Sequence, residues 1–165
     1  YPTWPPDATR LAYMAARDDG NGDDYYDIWV HDFTTGSAAR VELGGPFLDR
    51  HPAIGGLDWA RTQDKIAFQA LTSEAVGDTV RNGYEIWVVD LSDPANPVAL
   101  TNDPTTPYAS PSWSPDDSEI VYQKGDIIAG AYCEIWKMNA DGSGKTLLLE
   151  PSKKIKSVSG PTWKR

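Results

Sequence analysis

The chain has 165 residues, 40% of them apolar and 24% charged, and its 24 acidic against 15 basic residues give a net charge of −9. This composition is globular, and the negative charge excludes nucleic acid as a partner because a phosphate backbone would be repelled. The single cysteine, Cys133, excludes an intrachain disulfide. No apolar run approaches the roughly 18 residues of a membrane span, so we expect no membrane insertion.

The first predicted unit begins with a short strand that ends at Trp4 and is followed by the turn sequence Pro-Pro-Asp. Proline fixes φ in such a turn, and aspartate bonds to its own local backbone. Three more strands are predicted in chain order at 10–14, 26–32 and 40–43, where apolar runs lie between turn sequences. The first 50 residues therefore predict four short strands and no helix.

Two further units repeat this order, with Trp59 and Trp113 in the place of Trp4. The strands predicted after these two tryptophans lie at 65–69, 84–90, 98–101, 119–123, 133–139 and 146–149. The three tryptophans are 55 and 54 residues apart, and Trp163 opens a fourth copy 50 residues later. These four residues are called the landmark tryptophans below. A period of about 50 residues built from strands indicates a repeat array or a propeller.

The third strand of each unit carries an acid, an isoleucine and a tryptophan, in the sequences YDIWVHD, YEIWVVD and CEIWKMN. Side chains alternate along a strand, so Ile86 points to one face of its sheet and Trp87 to the other. A strand that is apolar on both faces must be covered on both. Four-stranded sheets arranged radially meet this requirement, because each sheet lies between its neighbours. The sequence thus predicts an all-β propeller segment.

The units resemble the repeat of the TolB-type β-propeller family, whose signature is approximately Pro-x-Trp-Ser-Pro-Asp-Gly. The third unit matches it best, over Pro111-Ser112-Trp113-Ser114-Pro115-Asp116. Asp117 stands in place of the glycine, Pro5 replaces the serine of the first unit, and the second unit departs most, with Ala60-Arg61-Thr62 in place of Ser-Pro-Asp. The resemblance implies a periplasmic or secreted propeller. Such propellers serve as protein-docking platforms, as lyase scaffolds and as gating domains of peptidases.

The predicted organisation is a single propeller segment over 1–165. Blade 1 covers about 1–50, blade 2 about 51–105 and blade 3 about 106–158, and 159–165 starts the next blade. Propellers close with four to eight blades, so three blades leave two apolar faces that need cover. Two arrangements stay open: the chain is a piece of a longer propeller, or two chains close a six-bladed ring.

The order of the strands places two sets of connections on opposite rims. The long-loop rim carries the loops predicted at 15–25, 70–83 and 124–132 and the links at 44–57, 102–111 and 151–160. The short-turn rim carries the tight turns after each landmark tryptophan. Because ligand contacts concentrate on elaborated loops, the long-loop rim is the predicted partner face. Its candidate contact residues are Arg50, His51, Tyr84, Tyr108 and Tyr132.

Two candidate metal sites come from acidic residues. Asp19, Asn21 and Asp23 have the spacing that brings alternate oxygens around Ca²⁺, although the match to a calcium loop then fails at Asp24 and Val30. Ca²⁺ is the one cofactor that the sequence suggests. The acids before each Ile-Trp have two interpretations, either a ring of carboxylates around a cation or local acceptors of backbone N–H bonds and basic side chains. These acids are Asp27, Glu85 and Glu134.

No catalytic constellation is visible in the sequence. It has no Gly-x-Ser-x-Gly motif, and one cysteine with two distant histidines gives no case for a nucleophile. We therefore predict a non-catalytic binding module that engages a protein partner. The alternative is the scaffold portion of a propeller enzyme, a carbohydrate lyase or a peptidase, whose catalytic groups lie outside this chain.

Overall fold

The structure is a computed structural model that describes residues 2–18, 24–48, 53–76, 79–103, 106–126, 131–151 and 160–163. Three antiparallel sheets follow one another along the chain, and in each the strands pair in sequence order. The first sheet consists of β1 (Arg10–Asp18), β2 (Asp24–Asp32) and β3 (Ser37–Arg40). Thr3 forms a bridge with Ala12 and so takes the fourth, innermost place in this sheet.

The second and third sheets have four strands each. The second consists of β4 (Ile54–Trp59), β5 (Lys65–Val76), β6 (Thr79–Asp90) and β7 (Val98–Ala99). The third consists of β8 (Tyr108–Trp113), β9 (Glu119–Asp126), β10 (Ala131–Asn139) and β11 (Thr146–Leu149). This arrangement confirms the predicted three-bladed propeller segment. The blade boundaries stay predictions, because they fall in or beside 49–52, 104–105 and 152–159, outside the described residues.

The blades are held together by two apolar clusters, one at each junction. Between blades 1 and 2, Ile28 packs with Trp59, Phe68 and Val89, and Trp87 lies against the same cluster. Between blades 2 and 3, the cluster contains Ile86, Trp113, Ile120, Tyr122 and Met138. Ile86 and Trp87 therefore serve opposite junctions, as the alternation along the strand predicts. Each buried indole removes on the order of 200 Å² from water.

The predicted loop at 70–83 is wrong for most of its length. β5 and β6 stay paired from Lys65 with Asp90 out to Val76 with Thr79, so a long hairpin replaces the loop. The physical reason is the content of β-branched residues, since threonine and valine favour a pleated strand over an open loop. The loops predicted at 15–25 and 124–132 are also shorter than expected, because β1 runs to Asp18, β2 begins at Asp24 and β9 runs to Asp126.

Within the described part of the chain, the helical structure consists of one short 3₁₀ turn, Gly45–Phe47. Its Phe47 ring is buried and meets Trp87 edge-on, with the ring centroids 5.0 Å apart. Among the residues described, no helix has the length and apolarity that crossing a bilayer requires.

The outer faces of the first and third blades expose large apolar side chains. On blade 1, Trp4 is 42% exposed and stacks on Phe33, with the ring centroids 5.5 Å apart. On blade 3, the three leucines of β11 are all exposed. Landmark tryptophans at the inner junctions, Trp59 and Trp113, are fully buried. The end faces thus have the composition of blade junctions without a neighbour against them.

Candidate functional site

The inner strands of successive blades meet in a channel wall. This wall is built from the three residues before Trp59, Trp113 and Trp163, namely Gly56-Leu57-Asp58, Ser110-Pro111-Ser112 and Gly160-Pro161-Thr162. Together with Arg61 they line a cavity of about 210 Å³. Because equivalent residues of β4, β8 and the final segment lie side by side, the segment 160–163 takes the inner place of a following blade.

Each triplet of the channel wall begins with a residue in the left-handed region. The φ angles are 57° at Gly56, 52° at Ser110 and 60° at Gly160. The strand pairing shifts register just after Gly55 and Ala109, so this residue is a repeated bulge of the inner strand. Glycine adopts this conformation without a Cβ penalty, whereas Ser110 holds it at a cost of about 1–2 kcal/mol.

Asp58 links three blades at the channel wall. Its carboxylate accepts the backbone N–H of Trp113 at 2.7 Å and the hydroxyl of Ser112 at 3.0 Å, both from blade 3. The Thr3 hydroxyl of blade 1 lies 3.4 Å from the other carboxylate oxygen. Thr3 in turn accepts the backbone N–H of Trp59 at 3.0 Å. The residue before one landmark tryptophan therefore accepts the N–H of the next landmark tryptophan at both junctions.

Arg61 lies where the channel wall meets the short-turn rim. Its Nη1 donates to the Trp59 carbonyl at 2.8 Å, and its Nη2 lies 3.3 and 3.4 Å from the two oxygens of Asp58. The Arg61 side chain is 19% exposed to solvent. Arg61 lines the channel cavity and two further cavities of about 540 and 340 Å³ on the short-turn rim. It is thus the one cation shared by all three of these cavities.

The mouth pocket is the cavity of about 540 Å³ on the short-turn rim. Its walls are three indoles and three prolines, with Ala8, Thr62 and Arg61 completing them. The indoles and prolines are Trp4, Trp113, Trp163, Pro5, Pro6 and Pro115. Arg61 is its only charged lining residue among those described. The pocket is therefore apolar with a single positive charge, and its size lies within the range of 300–1,000 Å³ that is usual for ligand sites.

Two departures from the repeat signature form one interaction beside this pocket. The second blade has Thr62 where the other blades have the turn aspartates Asp7 and Asp116. Asp117, which stands in the glycine place, supplies the missing carboxylate from the next blade. It accepts the backbone N–H groups of Arg61 and Thr62, both at 2.6 Å, and the Thr62 hydroxyl at 2.7 Å.

Restoring the signature glycine at Asp117 is expected to destabilise the protein. Asp117 has φ 58°, so Asp117→Gly relieves left-handed strain but removes three hydrogen bonds to a buried carboxylate, for a net loss of about 2 kcal/mol. Asp117→Ala loses the same bonds and keeps the strain, for about 3 kcal/mol. Urea denaturation measures both; a glycine variant as stable as the wild type would contradict the interaction.

The three acids before Ile-Trp have separate local partners. Asp27 lies 3.6 Å from the Arg40 guanidinium, and Glu134 accepts the indole N–H of Trp136 at 2.7 Å. Glu85 is buried, accepts the Thr101 hydroxyl, and accepts the backbone N–H of Asp103 at 2.8 Å. In the described residues no three or more His, Cys, Asp or Glu side chains lie close enough to hold a metal ion. The local-acceptor interpretation fits these contacts.

The burial of Glu85 predicts a pH dependence of stability. Burial raises its pKa above the ordinary value of 4.5, although the hydrogen bonds from Thr101 and Asp103 act in the opposite direction. Between the two pKa values the native state keeps a proton that the unfolded state has lost, so the free energy of unfolding falls as pH rises from about 4.5.

Glu85→Gln removes this titration. We therefore expect the free energy of unfolding of the wild type to fall relative to that of the variant as pH rises from 4.5 towards 7. Urea denaturation at several pH values measures both. A difference that stays constant over this range would show that Glu85 ionises normally in the folded protein.

The predicted partner-face residues are mostly beyond what the structure describes. Arg50 and His51 lie outside the described residues, as does the side chain of Tyr132. Tyr84 is partly buried at the middle of β6. Tyr108 is only 6% exposed, and its ring packs 5.9 Å from that of Tyr122 between blades 2 and 3. Burial raises the pKa of Tyr108 to about 12. Its ring therefore belongs to a blade junction, and the partner face as a whole stays a prediction.

The predicted Ca²⁺ loop also lies outside the described residues, since Asp19, Asn21 and Asp23 are not among them. The calcium site stays a prediction. Sequence reasoning missed the channel wall and Arg61, although a signal was present. A polar side chain precedes every landmark tryptophan, and a position that repeats with the blades predicts a shared place near the axis. These residues are Thr3, Asp58, Ser112 and Thr162.

The three blades, the repeated inner-strand bulge and the channel wall define the class: the chain has a TolB-like β-propeller fold. No protein-family model matches the chain, and no curated protein matches it. Among solved structures, "putative TolB" from Agrobacterium tumefaciens superposes with a TM-score of 0.68 at 20% identity, over 92% of this chain and 49% of that one.

Two enzymes share the fold. An oligogalacturonate lyase in complex with manganese has a TM-score of 0.64 and 16% identity, over 92% of this chain and 42% of that chain. A prolyl endopeptidase has a TM-score of 0.62 and 16% identity, over 92% of this chain and 22% of that chain. The chain thus spans half or less of the length of these structures, and at these identities the likeness shows the fold.

Proposed function

We propose that the chain is a non-catalytic binding module of a TolB-like propeller that engages a protein partner. The observation that carries this proposal is the mouth pocket, an apolar cavity of about 540 Å³ on the rim opposite the long loops. Aromatic side chains and a single arginine at a concave site are typical of protein-recognition surfaces. The long-loop rim, with Tyr84 and His51, is the second candidate face for the same partner.

The polar groups of the channel wall support a structural rather than a chemical role. Asp58 and Asp117 use their carboxylates to join blades. Among the described residues no serine or threonine hydroxyl donates to a histidine, and His31 lies edge-on to Phe33 with centroids 4.5 Å apart. Likeness to the Agrobacterium tumefaciens protein favours a location outside the cytoplasm, periplasmic or secreted.

Peptide selection on the full chain tests the proposal. We expect a displayed random-peptide library to yield binders with micromolar Kd, which the chain holds through one of its two rims. Alanine variants then separate the rims: Trp4→Ala with Pro6→Ala on the short-turn rim, and His51→Ala with Tyr84→Ala on the long-loop rim. One pair should weaken binding at least tenfold while a cooperative melting transition shows that each variant stays folded. No enrichment over an unrelated propeller, or binding insensitive to both pairs, would contradict the proposal.

The alternative function is a scaffold for a propeller enzyme. The likeness to an oligogalacturonate lyase and to a prolyl endopeptidase favours it, since the chain spans less than half of either. The genomic sequence on both sides of this reading frame discriminates the two. A hydrolase domain or further blades that carry histidines would favour the enzyme, and a bare six-bladed ring would favour the binding module.

We also propose that the apolar end faces are covered by blades of the same repeat, from a longer chain or from a second copy. Exposed Phe33 on one end and Leu148 on the other support this proposal, because patches of this kind mark interaction surfaces. The isolated chain should associate at micromolar concentration, with a mass of two chains if the ring closes by dimerisation. If light scattering showed a stable folded monomer, the end faces would need no covering blades, and the proposal would be contradicted.

A further inference from the structure

We infer that the mouth pocket binds a proline-containing peptide segment and that the Arg61 guanidinium holds a single carboxylate of that segment. The inference rests on the proposed function and names the chemistry of the partner at one of the two rims. It depends on three observations. Arg61 has N–H donors that its contacts within the protein do not use, it is the one charged residue among the described residues that line the pocket, and the rest of the lining is rich in aromatic and proline side chains.

Arg61 keeps donors for a ligand. A guanidinium has five N–H donors in a planar fork. Among the described residues, Nη1 donates to the Trp59 carbonyl and Nη2 to Asp58, and the Asp58 contacts are long at 3.3 and 3.4 Å. The Asp58 carboxylate also accepts the Trp113 N–H at 2.7 Å and the Ser112 hydroxyl at 3.0 Å. These contacts use at most three of the five N–H donors of Arg61, so at least two are left for a ligand.

The charge of Arg61 is isolated on the pocket side. Asp58 lines the channel cavity but not the mouth pocket, and no described acid lines that pocket. The nearby Asp117 carboxylate is directed to the backbone of Arg61 and Thr62. An arginine that faces an apolar cavity binds a carboxylate more strongly than one in water, because the lower dielectric strengthens the charge-assisted bonds.

The lining of the pocket selects the remainder of the ligand. The partly exposed indoles of Trp4 and Trp163 line the pocket, and aromatic-lined grooves bind proline-rich segments in the polyproline II conformation with little loss of chain entropy. The net charge of −9 repels a run of acidic residues at long range. A single carboxylate next to prolines therefore fits the pocket better than a polyacidic segment.

Two blocked tetrapeptides that differ only in one side chain test the inference. The probes are acetyl-Gly-Pro-Pro-Asp-amide and acetyl-Gly-Pro-Pro-Asn-amide, titrated into the full chain and followed by tryptophan fluorescence and calorimetry. We expect the acid to bind at least tenfold more tightly than the amide. Raising NaCl from 50 to 500 mM should reduce this ratio, because salt screens the ion pair.

Variants locate the carboxylate. Arg61→Gln should abolish the preference for the acid, and Arg61→Lys should keep part of it, since the charge remains without the fork. Arg40→Gln, a distant arginine that contacts Glu42, is the matched control and should bind both probes as wild type does. Because Arg61→Gln risks destabilising the turn, Trp4→Ala gives a second variant, whose half-exposed indole can be removed without unfolding. It should weaken both probes equally.

Equal affinity for the two probes, an acid preference that survives in Arg61→Gln, or no binding of either probe would each overturn the inference. The proposed function would stand if library-selected peptides still bound and lost affinity only in the long-loop variants. It would fall together with the inference only if no selected peptide responded to variants on either rim.

Discussion

Replacing Asp58 by alanine is expected to destabilise the protein by about 3–5 kcal/mol. The substitution removes a buried carboxylate, and the buried groups that donate hydrogen bonds to it lose their partner. The side chain is buried and joins all three blades through Thr3, Ser112 and the backbone N–H of Trp113. In the variant the Trp113 N–H and the Ser112 hydroxyl lose their acceptor inside the protein, and each unpaired buried group costs about 1–3 kcal/mol. Urea denaturation at neutral pH measures the loss.

Two controls define what the Asp58 result means. Asp58→Asn keeps an acceptor of the same shape and should cost about half as much as the alanine variant, because hydrogen bonds to a charged group are roughly twice as strong as neutral ones. Asp93→Ala changes an aspartate in an exposed turn, where its carboxylate bonds the side chain of Asn96, and should change stability by about 0.5 kcal/mol or less. If Asp58→Ala were as mild as Asp93→Ala, the blades would be held by apolar packing alone.

Removing one buried landmark indole should have a similar effect through packing. Trp59→Ala is expected to cost about 3–5 kcal/mol, the usual range for truncating a buried aromatic side chain. The Trp59 ring is completely buried in the junction of blades 1 and 2. On one side the Arg10 guanidinium lies 4.9 Å from its centroid, held there by two bonds to Asp64 at 2.9 and 2.7 Å.

The matched control is Trp4→Ala, at the equivalent repeat position of blade 1. Trp4 has no blade before it among the described residues, is 42% exposed and stacks on Phe33. Its removal should cost about 2 kcal/mol, less than that of Trp59, because 42% of the Trp4 side chain is already in water. Equal losses for the two variants would show that the landmark position stabilises the turn after it rather than the blade junction, and would contradict the propeller packing.

The Asp58 prediction also bears on the proposed partner site. The inner-strand residues hold the blades together and line the channel cavity, and Asp58 contacts Arg61, which lines the mouth pocket. We therefore expect mild changes such as Asp58→Asn to weaken both blade cohesion and the binding of an acidic ligand. A propeller whose binding residues are also its blade contacts is rigid at its site, and rigidity lowers the entropy cost of binding.

The sequence by itself determined the architecture. The spacing of Trp4, Trp59 and Trp113 and the two-sided Ile-Trp strands require sheets that cover one another, since burial of apolar faces follows directly from their alternation. Strand positions within each unit followed from turn residues and β-branched runs. The long hairpin of β5 and β6 was missed because the same threonines and valines are compatible with an open loop until a partner strand pairs with them.

Only the tertiary structure decided which polar residues meet. Asp58 bonds Trp113 and Asp117 bonds Thr62, pairs that are 55 residues apart and have no local signal. Whether Tyr108 faces a partner or a blade junction also depended on how the third blade packs against the second. Periodicity shows which positions are equivalent, but the partners of a buried charge are set by the relative placement of neighbouring sheets. The mouth pocket, in which Arg61 is the one charged lining residue among those described, forms only through that placement.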